Sequence, residues 1–82
     1  MTIKAPIIID QWERSKREAV RVQLVEYKQN ILIEARVYHK QHDGEYRPTR
    51  KGLSLGLKHL RPLAKALADA EIKALELNLI RG

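Results

Sequence analysis

The chain has no cysteine and no phenylalanine, and its 82 residues include one tryptophan, three tyrosines, three prolines and four glycines. Without cysteine there is no disulfide staple and no thiolate zinc site. His39, His42 and His59 stand without a neighbouring carboxylate pattern, and only a turn would bring His39 and His42 together, so neither a metal nor a cofactor is expected. No run approaches the ~20 apolar residues of a membrane-spanning helix. The opening MTIKAPIIIDQW has neither the long apolar run nor the small-residue cleavage site of a signal peptide, and no membrane association is expected. Acids are missing from one stretch in particular. Tyr46 to Ala68 carries Arg47, Arg50, Lys51, Lys58, Arg61 and Lys65 without a single Asp or Glu, while the rest of the chain holds ten basic and ten acidic residues. The whole formal charge of +6 therefore sits in one segment.

Catalysis finds no support. The ten acids are scattered, none pairs convincingly with a histidine, Ser15 and Ser54 lack a visible base, and no Gly-rich phosphate loop exists. We assign no catalytic residue. The basic segment instead favours a polyanion partner, because neutralising phosphates releases condensed counterions. A chain this short buries a modest fraction of its surface, so with metal and disulfide excluded, self-association is the expected staple.

The apolar residues place the elements. Residues 1–18 read as an N-terminal arm: the apolar Ile7-Ile8-Ile9, then a polar stretch containing Trp12 that reads as a loop. Residues 19–82 read as the folded domain. Val20, Val22 and Leu24 alternate with Arg21 and Gln23, predicting a strand over about 19–26. After a polar break at 27–30, Ile31, Ile33, Ala35 and Val37 point one way, and Leu32, Glu34, Arg36 and Tyr38 the other. Asp43-Gly44 predicts a hairpin turn. A third strand is expected from Glu45 to about Thr49, with Pro48 at an edge or bulge. A fourth is expected over Lys51 to Leu55, where Gly52 permits a bend or a close backbone approach. Leu57, Leu60, Leu63, Ala64, Leu67 and Ala68 then recur at three and four, predicting a loose turn and an amphipathic helix from about Arg61. Ile72, Leu75 and Leu79 continue that stripe, either unbroken or after a break near 68–70.

Three pieces in order, WERSKREAVRVQL, EYKQNILIEARVY and DGEYRPTRKGLSL, resemble the single-stranded-DNA-binding domain of the transcriptional coactivator PC4 (p15) family, in particular its small bacterial members. The resemblance implies an α+β fold: a curved four-stranded antiparallel sheet followed by a C-terminal helix (β-β-β-β-α), paired as a two-fold homodimer. It also implies paired channels for antiparallel single strands. Carried over residue by residue, Tyr27 stacks on a base and Lys28 holds a phosphate. Asn30 stands where the family has a lysine, and His39 where its human member has a tryptophan. Arg36, Arg47, Arg50 and Lys51 keep the channel basic, and Pro48 keeps its apolar floor.

Arg17, Arg21 and Tyr38 complete the expected nucleic-acid set. Leu60, Leu63, Leu67 and Leu75 are the expected dimer contacts. Trp12 reads as a lid or a dimer-packing residue ahead of a base platform. The function expected is sequence-tolerant single-strand binding in transcriptional regulation, with RNA and melted duplex left open as partners. The alternative is a dimeric protein–protein adaptor that meets a transcription-machinery protein. The expected location is the cytoplasm, with the nucleoid, in a bacterium and the nucleus in a eukaryote.

Overall fold

The computed structural model describes residues 3–82 and consists of four strands and one long helix. The strands are β1 (Ile7–Ser15), β2 (Glu18–Tyr27), β3 (Asn30–Lys40) and β4 (Tyr46–Gly56). They form one antiparallel sheet in the order β1-β2-β3-β4. A single 3-10 turn (Leu57–His59) leads into α1 (Leu60–Glu76).

The four strands are not the four expected. The stretch read as a loop within the arm is strand β1, and the two short strands expected over 45–55 are one continuous strand, β4. Two register shifts, between Ile8 and Asp10 and between Glu13 and Ser15, explain why β1 lacks a clean period of two. Each bulge inserts a residue and flips the faces that follow. All nine residues of β1 are exposed, so no buried face imposed an alternation on its sequence. In β4, Arg36 faces Gly52 and Tyr38 faces Pro48, so four residues of β4 span two of β3. Pro48 thus lies on an edge strand and beside a bulge, as its missing N–H requires. The Thr49 hydroxyl donates to the Val37 carbonyl at 2.7 Å and accepts from the Lys51 N–H at 3.1 Å, fastening the bulge.

Of the three hairpins, the β2–β3 and β3–β4 turns follow from local chemistry. Tyr27 pairs with Asn30 across a two-residue loop whose Lys28 and Gln29 have φ of 50° and 69°, the backbone of a twisted I′ turn. At the second, Gly44 takes φ 86° and the Asp43 carboxylate accepts the Glu45 N–H at 2.9 Å. Pro62 sits in the first turn of α1, where no N–H is missed. The helix runs unbroken to Glu76 and ends in a Schellman motif. Asn78 takes φ 59° while Leu79 N–H donates to Ala74 and Asn78 N–H to Leu75, at 2.8 and 3.1 Å.

The sheet has two unlike faces. Val22, Ile33, Ala35 and Leu53 face Leu60, Leu63, Ala64 and Leu67 of α1 across a seam that encloses about 140 Å³. The core is thin. Among the described residues only Ala19, Gln23, Ile33, Val37 and Tyr38 are buried, and α1 buries none of its own. No helix of the described residues is long and apolar enough to cross a membrane.

Candidate nucleic-acid interface

Opposite the helix, the alternation of β2 and β3 sends Gln23, Val25 and Tyr27, and Leu32, Glu34, Arg36 and Tyr38, to one face. With Pro6, Glu26, Pro48 and Ser54 they line a groove of about 540 Å³. Its ends differ in character. At one end the I′ turn leaves Tyr27 60% exposed and sets the Lys28 ammonium 5.3 Å above its ring. Such a ring offers a face for stacking with a cation beside it for a phosphate. At the other end Tyr38 is buried, its ring covered by the Arg21 guanidinium at 4.0 Å and its hydroxyl accepting from Gln23 Nε2 at 2.9 Å. Gln11 of β1 holds Arg21 in place, its Oε1 accepting from Nε at 2.6 Å.

Between the ends lies a polar network. Glu34 Oε1 accepts from Gln23 Nε2 at 2.8 Å, and Oε2 accepts from Ser54 Oγ at 2.9 Å and pairs with Arg36 Nε at 3.1 Å. Arg36 donates its remaining nitrogens to the Thr49 carbonyl and to Ser54 Oγ, at 3.0 and 3.1 Å. Burial pushes the Glu34 carboxyl up. The hydrogen bonds from Gln23, Ser54 and Arg36, with the Arg36 charge, outweigh burial and hold it below the ordinary carboxylate value. Glu34 and Arg36 neutralise each other, and together they stiffen the floor from β2 to β4. The Gln23 Oε1 is buried there with no partner.

The expected site residues therefore divide. Tyr27, Arg36, Tyr38 and Pro48 line the groove, with Arg21 stacked on Tyr38 and Lys28 over Tyr27. Asn30 caps its own turn, donating from Nδ2 to the Lys28 carbonyl at 3.2 Å. Arg50 and Lys51 sit exposed in the β4 bulge. His39 and Arg47 pair with each other in register and point to the helix side, away from Tyr38 and Pro48. Arg47 lies 3.8 Å from Asp43. Arg17 lies in the β1–β2 turn, beyond the groove. Trp12 faces Val20 in register, so it too stands on the helix side, half-exposed. Among the described residues Arg17, Arg21, Lys28, Arg50 and Lys51 pair with no acid. Of the expected dimer residues, Leu60, Leu63 and Leu67 line the seam with the sheet; Leu75 lies about two turns beyond it.

Gln23, Val25 and Leu32 are groove residues that the composition argument passed over. Their signal was present: each shares the alternation phase of Tyr27 or Tyr38. Among the described residues no group of three or more His, Cys, Asp or Glu is placed to hold a metal.

Residues 10–66 match the family described as Transcriptional Coactivator p15 (PC4). No match was found among the curated proteins. Of the solved structures, a PC4 homolog from Burkholderia pseudomallei superposes with a TM-score of 0.74 at 21% identity, covering 87% of this chain and 96% of that one. Its tetragonal crystal form gives 0.73 at 22%, over 82% and 98%. A bacteriophage T5 homolog of the eukaryotic coactivator PC4, implicated in recombination-dependent DNA replication, gives 0.64 at 25% identity, over 92% of this chain and 86% of that one. The matched span begins inside β1, takes in every groove residue except Pro6 and ends in α1, and on that footing the chain belongs to the transcriptional coactivator p15 (PC4) family.

Proposed function

We propose that the protein binds single-stranded DNA with little sequence preference and acts as a dimeric regulator of the coactivator type. The observation that carries this is the groove face. An exposed tyrosine sits under a lysine at one end, and cations without acid partners stand along it. A single strand presents unstacked bases and a flexible backbone, which such a surface meets with stacking and phosphate contacts. A duplex hides its base faces. The floor carries a self-neutralised Glu34–Arg36 pair, so the groove attracts phosphates at its rim and leaves its centre to bases.

The dimer is supported by surface area. The chain exposes 6916 Å², whereas a compact 9.5 kDa monomer exposes roughly 5000 Å². Two excesses of roughly 1900 Å² fall within the ~2000–5000 Å² of obligate homodimers. The radius of gyration agrees, at 14.9 Å against about 12 Å for a compact domain of this length. Leu60, Leu67 and Leu75, with Leu53 on the sheet, are among the large apolar side chains left exposed.

Anisotropy with a labelled ~20-mer, single-stranded against duplex, tests the reading. Tighter binding to the single strand is expected. Equal affinity for both forms removes the stacking argument, and no binding to either below ~150 mM salt removes the nucleic-acid reading. In that event the exposed Leu77, Leu79 and Ile80 favour a protein adaptor, whose complex survives nuclease treatment.

A further inference from the structure

Past the Tyr38 end of the groove, the β1–β2 and β3–β4 turns close on a second concavity. It holds about 340 Å³ and is lined by Lys16, Arg17, Lys40, Gln41, His42 and Gly44. Backbone hydrogen bonds fix its frame. The Lys40 N–H donates to the Arg17 carbonyl at 2.7 Å, which ties the two turns together. The Gln41 N–H donates to the Glu45 carbonyl at 2.7 Å and the Gly44 N–H to the Gln41 carbonyl at 3.0 Å, which hold the second turn.

The side chains on that frame are cations without counter-charges. Lys16, Arg17 and Lys40 pair with no acid among the described residues. Of the acids adjacent in sequence, Glu18 pairs with Arg14 at 3.7 Å and Asp43 with Arg47 at 3.8 Å, while Glu45, beside Gly44, pairs with no cation among the described residues and is not part of the lining. Three like charges brought to one concavity disfavour one another until an anion joins them. The His42 imidazole is the one ring in the lining, and no Trp, Tyr or large apolar side chain joins it, so the pocket has neither a broad base platform nor the apolar anchor an acidic peptide requires.

We infer that this pocket holds phosphodiester groups of the strand that occupies the groove, and so lengthens the path of that strand beyond Tyr38. The inference rests on the single-strand reading above. Lys40 stands two residues past Tyr38 on the same face of β3, about 7 Å farther along. That distance is about two phosphates at the ~3.4 Å per-strand spacing of stacked DNA, fewer in an extended strand. The division of labour is physical: the groove centre is electrically neutral and reads as base-facing, while the pocket is dominated by its three cations and takes phosphates of any sequence.

The test compares Lys16→Gln/Arg17→Gln/Lys40→Gln with Lys58→Gln/Arg61→Gln/Lys65→Gln, which removes the same charge from the turn and helix after β4. Labelled oligo-dT of ~6 and ~20 nucleotides, spanning the site sizes of single-strand binders, is titrated over a salt series. On the ~20-mer the pocket variant should show a slope of log K against log salt lower by about 0.7 per phosphate lost, and an affinity at ~0.1 M salt lower by roughly fivefold per phosphate. The ~6-mer, which fits the groove alone, should bind both variants alike. Identical ~20-mer slopes for the two variants overturn the inference, and so does an equal loss on both oligomers. A poly-glutamate probe bound as tightly as the ~20-mer, and lost in the pocket variant, would assign the site to an acidic peptide and also overturn it. If the unaltered protein binds no single strand, the groove reading falls together with this one; normal groove binding with an unchanged slope removes this one alone.

Discussion

Gly52→Ala tests the register of the sheet at the point where the fold and the groove meet. A Cβ built on Gly52 would lie 2.6 Å from the Ala35 carbonyl oxygen and 2.8 Å from the Arg36 Cα. Both obstacles are backbone of β3, so no side-chain rotation relieves them, and β4 must move away from its partner. Overpacking of this kind costs ~1–3 kcal/mol. A domain of this length has ~4–12 kcal/mol of stability in all. Taking ~2 kcal/mol as the loss, Tm falls by about 8–16 °C. Gly56 is the internal control: nothing lies within 4 Å of its Cβ, and its φ of −61° and ψ of 156° suit alanine. Gly56→Ala should gain ~0.4–1 kcal/mol by restricting the unfolded chain. Calorimetry on both variants at one protein concentration decides the matter, since a dimer makes Tm concentration-dependent. If the two variants melt within about 2 °C of each other, the close approach of β4 to β3 described above is wrong.

Tyr27→Ala should weaken single-strand binding by ~1–3 kcal/mol with little change in salt slope, whereas Lys51→Ala should lower that slope by about 0.7; affinity against salt for the two separates stacking from charge. Glu34, held below its ordinary value of 4.5, contributes stability that is complete above that value and is lost as pH falls through its lowered folded value. Urea unfolding of Glu34→Gln should accordingly show a weaker acid dependence than the unaltered chain, and parallel pH curves would deny Glu34 its network role. Sedimentation equilibrium at micromolar protein should report about twice the 9.5 kDa chain mass, and a well-folded monomer would leave the excess surface unexplained.

Where one face of a strand is buried, the sequence determined the structure by itself. β2 and β3 alternate cleanly because their apolar residues Val22, Ile33 and Ala35 turn to the α1 side and their polar ones to the groove, and α1 follows from leucines at three and four. The β2–β3 and β3–β4 hairpins and the strain-free place for Pro62 are equally local, since turn chemistry acts over a few residues. The groove's phase was legible for the same reason, and residues 48–52, the bulge of β4, carry the exposed basic pair Arg50 and Lys51. β1 was not legible: exposed along its whole length and bulged twice, it is specified by hydrogen bonding to β2, which leaves little trace in side-chain pattern. The joining of 46–56 into one strand was likewise decided by β3, whose Val37 carbonyl fastens the bulge at Pro48 and Thr49. Charge told the least about place. His39 and Arg47 fall on the far face through a one-residue alternation, and Arg36 spends its guanidinium on Glu34, Ser54 and Thr49. Those outcomes depend on which strands pair and in what register, because cross-strand neighbours are set by tertiary geometry and not by distance along the chain.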